Sequence, residues 1–454
     1  MSGTEAKPAR PQRGDELELT IDSLAFGGAG VARTDGYVVF VSGAVPGDRV
    51  RAVIGKRKRA YAEARVVEIV EPSPDRVPPV ADHPGAPWQV LPYERQLEIK
   101  YTQVDDALRR IGKLDGYELE PIVPAAQQWR YRNKLEYSFG TDPVSGALVC
   151  GFHAPGRWDE ILPMTDCKLA SEPANEARER IVGWCRQQQL TAYDRRSGEG
   201  FLRNLVVREG RRTGAIQARL VTAPGRLDRD SLITAAAGLD GLLWTQQESV
   251  GETTLGGETE LLAGTERFEE VLGGMRFRIS AEAFFQTNTE MAERLYELAI
   301  DYVAPRGFER VYDLYCGIGT IALSIAPRVA EVWGLELVEE AIADAIAGAQ
   351  ANEIDNVHFF AGDVRLALRE LAERAGRPDV LIADPPRAGL SQKVVRRIIE
   401  TSPTKIVYVS CNPTTLAPNA AQLVEAGYRL VRVRPVDMFP QTPHIECVAE
   451  LVRA

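Results

Sequence analysis

The sequence predicts an α/β domain preceded by two β-rich parts. Short alternating strands open the chain, a longer stretch of strands and turns follows, and from about residue 280 the rhythm becomes strand, helix, strand. That rhythm implies a mostly parallel, doubly wound sheet covered by helices on both faces. Short strands punctuated by Gly27-Gly28, Gly30, Gly43 and Gly47 imply a small β-barrel. We divide the chain into a disordered tail (1–13), a barrel (14–73), a central domain (74–279) and the α/β domain (280–454).

With 454 residues the chain can hold several domains that each bury a core. Its composition is that of an ordinary soluble protein, and no apolar run is long enough to cross a bilayer. The polar, Pro-bearing segment Met1–Arg13 lacks the apolar core of a signal peptide, so a cytoplasmic protein is expected. The six cysteines form no C-x-x-C pair and the four histidines are scattered, so no metal site is expected. In a cytoplasmic chain these cysteines need not form disulfides. A net charge of −10 argues against a protein that simply coats nucleic acid, although local charge matters more than the sum.

The barrel strands are expected at Glu16–Ile21, Tyr37–Val41, Arg49–Ile54 and Ala62–Ile69. The run Lys56-Arg57-Lys58-Arg59, with Tyr61, falls between the last two. It reads equally as a basic, aromatic nucleic-acid platform or as a solvated hairpin tip. A Pro-rich linker, 72–92, leads to a helix over Tyr93–Ile111, with Leu97, Tyr101, Val104, Leu108 and Ile111 on one face and Gly112 as its cap. This helix is a candidate to pack on the α/β domain. In the central domain, Leu205–Arg208 and Ala215–Val221 read as a hairpin. Trp129–Tyr137, which includes Arg132, alternates cations with aromatics and reads as a strand, either RNA-facing or simply wet on one side.

In the α/β domain, strands are expected at Arg310–Tyr315, Glu331–Leu337, Val357–Phe360, Val380–Ala383 and Lys405–Val409, with final strands near Leu430–Val436 and Ile445–Val452. Asp313-Leu-Tyr-Cys-Gly-Ile-Gly319 closes the first strand and opens a helix over Ile321–Ala326. Gly317 and Gly319 permit a tight turn and the close approach of a ligand. The same spacing fits a dinucleotide fingerprint, so the neighbours must decide. Glu336, at the end of the second strand, can accept both ribose hydroxyls. Asp363, at the end of the third, can accept from an adenine amino group, and Asp313 adds a carboxylate at the glycine turn. Three acids around one nucleoside suit S-adenosylmethionine, with its amine and sulfonium, better than a pyrophosphate.

Cys411 stands where the apolar strand Ile406–Val409 meets a polar stop, with Asn412-Pro413 as a turn and Thr414 or Thr415 as N-cap of the next helix. In isolation it reads as a buried inert thiol; at a strand end beside a cofactor it reads as a nucleophile. Asp384-Pro-Pro-Arg387 resembles the Asp-Pro-Pro-aromatic motif of amino-group methyltransferases, with Arg387 in the aromatic position. Its pairing with Cys411 points to methylation at carbon. C5 of uracil is a poor nucleophile until a thiolate adds at C6. A base must then remove the C5 proton so that the thiolate can leave, and Glu446 is the candidate. Asp384 can accept from uracil N3–H, Phe284 can stack on a base, and Gln286 can pair with a ligand edge.

Phe284-Phe-Gln286, Asp313–Gly319, Asp384–Arg387, Ser410-Cys-Asn-Pro413 and His444-Ile-Glu446 together resemble the S-adenosylmethionine-dependent RNA uracil-5-methyltransferases, over nearly the whole chain. The resemblance implies a class I, Rossmann-like methyltransferase domain and an OB-like TRAM barrel. It maps the family's nucleophile to Cys411 and its base to Glu446, with cofactor contacts at Gln286, Tyr315, Glu336 and Asp384 around the Gly317 turn. Many members hold an iron–sulfur cluster on four cysteines; here Ala81–Trp88 has none and only Cys167 resembles the fourth, so no cluster is expected. The expected activity is methylation of a uridine in RNA, with Arg387, Arg132 and Lys56–Arg59 on the substrate side. The barrel favours 23S ribosomal RNA over transfer RNA, and a monomer is expected. The competing readings are an RNA cytosine-5 methyltransferase, which generally has Pro-Cys where this chain has Asp384-Pro385, and a catalytically idle RNA-binding protein.

Overall fold

The computed structural model describes residues 11–34 and 36–454; most of the expected disordered tail, residues 1–10, lies outside them. The barrel is a six-stranded sheet in which Glu16–Thr20 pairs with Arg49–Arg57, which pairs with Tyr61–Glu71, then Tyr37–Ser42, Gly30–Thr34 and Ser23–Leu24. Glu16–Thr20 runs almost directly into Ser23–Leu24, so the two ends of that order meet and the sheet rolls up. The two strands within 23–34 were not legible because Gly27, Gly28 and Gly30 break the alternation there. Ile21, Val39, Val50, Ala52 and Ile54 fill the interior.

The helix after the linker runs as an α-helix over Tyr93–Asp106 and finishes in one wide π turn, Ala107–Ile111. Its buried stripe is rotated from the expected one. Gln96, Ile99, Lys100 and Val104 face inward, while Ile111 is 51% exposed. The cause is polar. Lys100 Nζ makes a fully buried ion pair with Asp437, 2.6 Å, and donates to the Phe439 carbonyl. Gln96 Nε2 donates to Gln441 Oε1 at 2.8 Å. A buried charge must be paired, so the pairing dictates the rotation. Val104 and Leu108 pack into the core of the α/β domain.

The central sheet has seven strands, with the expected hairpin realised as Leu202–Glu209 against Ile216–Thr222. The strand expected over Trp129–Tyr137 begins only at Lys134 and runs to Thr141. Arg130 has φ 58°, a left-handed conformation that ends regular pairing, and Asn133 bonds across to the Thr287 carbonyl. Arg132 therefore lies ahead of the strand, its guanidinium 5.7 Å from the Phe439 ring.

The α/β sheet has eight strands in the order Val357–Ala361, Glu331–Glu336, Arg310–Leu314, Val380–Ala383, Lys405–Ser410, Glu446–Arg453, Tyr428–Val436 and Glu118–Leu119. The first five are parallel; Glu446–Arg453 is antiparallel to both neighbours. The strand order reverses between Arg310–Leu314 and Val380–Ala383, and ligands bind beyond the strand ends at such a point. The antiparallel strand places the start of Glu446–Arg453 beside the end of Lys405–Ser410, Ser410 opposite Cys447. Two residues far apart in sequence, Cys411 and Glu446, are thereby brought to the same edge. Among the described residues no helix is long and apolar enough to cross a membrane.

Candidate active site

The reacting end is built on a tight turn. The strand stops at Ser410, whose Oγ accepts from the Asn412 N–H and donates to the Asn412 carbonyl, both 3.1 Å. The N-cap of the helix Pro413–Glu425 is Asn412 and not the expected Thr414 or Thr415. Its Oδ1 accepts from the Thr414 N–H at 3.0 Å, and Pro413 needs no donor at the first helical position. Asn412 Nδ2 also donates to the Arg387 carbonyl, 3.0 Å, tying the two reactive loops together. Asn419 fixes the second loop through Leu390, taking its N–H and giving to its carbonyl.

Cys411 is held half-buried on this turn; the other five cysteines are buried. Burial, then the carboxylates of Glu446 and Asp384, push its thiol up to about 11, and Arg387 opposes them. Burial and the nearby Asp384 hold Glu446 well above the ordinary carboxylate range. Burial raises Asp384 to about 7. His444 is driven down to about 4 by burial and by Arg387, Arg132 and Lys100, so it is a neutral neighbour at physiological pH. Cys411, Glu446, Asp384 and Arg387 thus form one electrostatic unit. This gathering of shifted titrating groups makes the strand ends a candidate reactive site.

The ligand end lies across the switch point. Tyr315 adopts φ 63° to turn the chain, and its hydroxyl is raised to about 12 by burial and by Asp363, with a further push from Glu336. Glu336 accepts from the N–H groups of Gly317 (3.2 Å), Leu337 (2.7 Å) and Val338 (3.0 Å). That uses three of about four acceptor positions of a carboxylate. Gly319 sits at φ 78°, where a Cβ would come 2.8 Å from the Phe359 ring; at Gly317 a Cβ would meet nothing within 4 Å. Asp313 is fully buried, with Oδ2 taking the Ala322 N–H and Oδ1 unpartnered. Burial and Asp384 raise it well above the ordinary range. An orphaned buried oxygen beside an open glycine turn fits a ligand ammonium group, and S-adenosylmethionine carries one. Asp363 also has a structural part. It caps the helix Val364–Ala375 and is ion-paired with Arg365, which holds it below the ordinary range.

Gln286 is buried, its carbonyl accepting from Asn133 Nδ2 at 2.9 Å, whereas Phe284 is 69% exposed. Lys56, Arg57, Lys58 and Arg59 are exposed on the barrel hairpin, where the Lys58 N–H bonds to the Tyr61 carbonyl. Lys56 pairs with Glu63 of the same barrel at 4.0 Å. A different part of the barrel reaches the site. Phe26 presents its ring 5.7 Å from the Arg387 guanidinium. The adjacent Gly28 lies so near Pro443 that a Cβ there would be 3.0 Å from the proline ring, and Gln103 Nε2 donates to the Leu24 carbonyl at 2.9 Å. No local sequence signal marks Phe26, because its place depends on the docking of one domain on another. Among the described residues no group of three or more His, Cys, Asp or Glu could hold a metal. Cys167 bonds to His83, Nε2 to Sγ 3.1 Å, both buried.

Residues 265–454 match the family model for tRNA (uracil-5-)-methyltransferase, and residues 10–67 match the TRAM domain. An RNA methyltransferase of Clostridium tetani, itself uncharacterized, is 36% identical over 97% of this chain and 98% of its own. One from Porphyromonas gingivalis, likewise uncharacterized, is 39% identical over 96% and 99%. The solved structure of Pyrococcus abyssi tRNA (uracil-54, C5)-methyltransferase with S-adenosyl-L-homocysteine superposes with a TM-score of 0.80, 29% identity, and coverage of 96% and 99%. Fold and site together define an S-adenosylmethionine-dependent RNA methyltransferase. The chain belongs to the RNA uracil-5-methyltransferase family and carries a TRAM domain.

Proposed function

We propose that the protein methylates C5 of a uridine in 23S ribosomal RNA through a covalent adduct at C6, with Cys411 as nucleophile and Glu446 as base. The observation that carries this reading is the convergence of Cys411 and Glu446, with Asp384 and Arg387, at the edge made by the antiparallel strand. S-adenosylmethionine, when bound, supplies the electrophilic methyl group. Phe284 offers an exposed face for the target base. Asp384 accepts from uracil N3–H when ionised. Cys411 gives up its proton to water and its Sγ bonds to C6; the C5–C6 π bond breaks and its pair shifts to C5, making that carbon enolate-like. Once C5 carries the methyl group, Glu446 takes the C5 proton, the C5–C6 double bond re-forms and Sγ leaves as thiolate. Asp313, Tyr315, Gly317, Gly319, Glu336, Asp363 and Gln286 are the proposed cofactor contacts. For Glu336 this means that ribose hydroxyls replace some of its backbone donors.

The barrel does not choose between ribosomal and transfer RNA, because the match to the solved tRNA enzyme covers 96% of this chain and so takes in the barrel. The second reading is transfer RNA, favoured by the solved tRNA enzyme, whose match covers 96% of this chain. Mapping methyluridine in ribosomal and transfer RNA from a deletion strain decides between them: the position that loses its methyl group names the target. The roles are tested by Glu446→Gln, which keeps the side-chain size but cannot act as a base. It should methylate and then stall as a protein–RNA adduct that survives denaturing electrophoresis, carries the methyl group and requires Cys411. Normal turnover by Glu446→Gln, or methylation by Cys411→Ala, refutes the roles.

A further inference from the structure

The far end of the central domain holds a cleft that the reaction does not use. Its volume is about 250 Å³. The strand Lys134–Thr141 starts beside Asn133, which is bonded to Gln286 and Thr289 of the catalytic domain, and ends at Phe139-Gly140-Thr141 in the cleft wall. At about 3.3 Å per residue the cleft is roughly 20 Å or more from that junction.

Trp158 lines it and is 53% exposed, an unusual position for the largest apolar side chain. The guanidinium of Arg196 lies 4.9 Å, and that of Arg195 5.7 Å, from its ring. Across the cleft Arg203 stands 4.6 Å from the Tyr193 ring. These cations are not a bare electrostatic funnel. Arg195 pairs with Glu252, Arg196 pairs with Asp159 at 2.6 Å, and Arg203 donates to the carbonyls of Gln247, Ser249 and Gly251. With its charge already matched, the cleft would hold a flat, neutral, π-rich group better than a phosphate. One polar atom on the same wall, Asn204 Oδ1, is buried without a partner and leaves an acceptor for the edge of a heterocycle.

We propose that this cleft is a second RNA site, which holds one unstacked base on Trp158 while the target uridine is in the active site. This rests on RNA as the substrate, and goes beyond it by placing an anchor remote from the chemistry. Stacking of this kind is sequence-tolerant and contributes affinity without phosphate contacts. The cleft is below the usual size of a small-molecule pocket, about 300–1,000 Å³, and suits a single base.

The test compares Trp158→Ala, Trp158→Phe and Arg196→Ala with the parent on two RNAs, a long ribosomal RNA fragment and a short hairpin around its target uridine. Trp158→Ala should weaken binding of the long RNA by about tenfold, and leave its salt dependence unchanged. Trp158→Phe should recover most of the loss. All variants should keep parental kcat at saturating hairpin. Ultraviolet cross-linking of the parent to the long RNA should put a nucleotide on the peptide containing Trp158. Parental affinity in Trp158→Ala, equal loss on both RNAs, or the absence of that cross-link overturns the proposal. If the parent methylates neither RNA, the substrate reading fails instead.

Discussion

The protonation of Cys411 can be measured directly, because it alone among the six cysteines is not buried. Its thiol is raised from 9.0 to about 11. Two units reduce the thiolate present near neutral pH about a hundredfold relative to an ordinary cysteine. A more basic thiolate is intrinsically more nucleophilic, by about tenfold over two units at a Brønsted slope of 0.4–0.5. The net expectation is alkylation by iodoacetamide about tenfold slower than for an ordinary thiol near neutral pH, rising with pH to a midpoint near 11. The variants follow the causes. Burial is the largest, so Glu446→Gln should lower the midpoint without returning it to 9; Arg387→Ala should raise it, because the lost cation favoured the thiolate. Rates are read by mass spectrometry of the Cys411 peptide across pH. A parental midpoint at or below 8.5, or an Arg387→Ala midpoint that is unchanged or lower, refutes the electrostatic coupling of these four groups. If the expectation holds, the free enzyme keeps its nucleophile protonated, and arrival of the substrate must provide for its deprotonation.

Asp384 links the site to stability. Its folded value, about 7, lies above its ordinary 3.8, so its contribution is complete below about pH 4 and is lost as pH rises to about 7. Relative to Asp384→Asn, urea unfolding of the parent should lose up to about 1.4 kcal/mol per pH unit across that window; parallel profiles refute this. Replacing Lys56, Arg57, Lys58 and Arg59 by Ala should weaken RNA binding and flatten its salt slope by about 0.7–0.9 for each phosphate no longer neutralised, with S-adenosylmethionine affinity unchanged. Equal affinity at every salt concentration would make the run a solvated tip only. The purified protein should be colourless and active without iron; stoichiometric iron and sulfide with a broad visible band would contradict this.

The parts of the fold that were legible are those set by local pattern. The five parallel strands end within a residue or two of their expected bounds, because buried parallel strands are short apolar runs that stop at polar residues. The candidate residues Cys411 and Glu446 and the glycine turn stand out in the sequence through motifs. What stayed hidden depends on particular side-chain and backbone partners, some distant in sequence and some only two residues away. The rotation of the helix Tyr93–Asp106 follows from Asp437 and Gln441, more than three hundred residues on. Arg132 left its expected strand because Arg130 turns left-handed. Asp363 is occupied by Arg365, two residues away, a pairing that neither strand nor helix pattern forecasts.

The close seat of Gly28 against Pro443 has a practical meaning for anyone exchanging domains in this enzyme. Pro443 directly precedes His444-Ile-Glu446, so the barrel touches the segment that carries the proposed base. A chimera with a foreign barrel would change the contacts of Phe26 and Gly28 beside the candidate site, whatever RNA affinity it brings. A side chain at position 28 would press on Pro443 at 3.0 Å, so an exchanged barrel needs a glycine there to keep this contact.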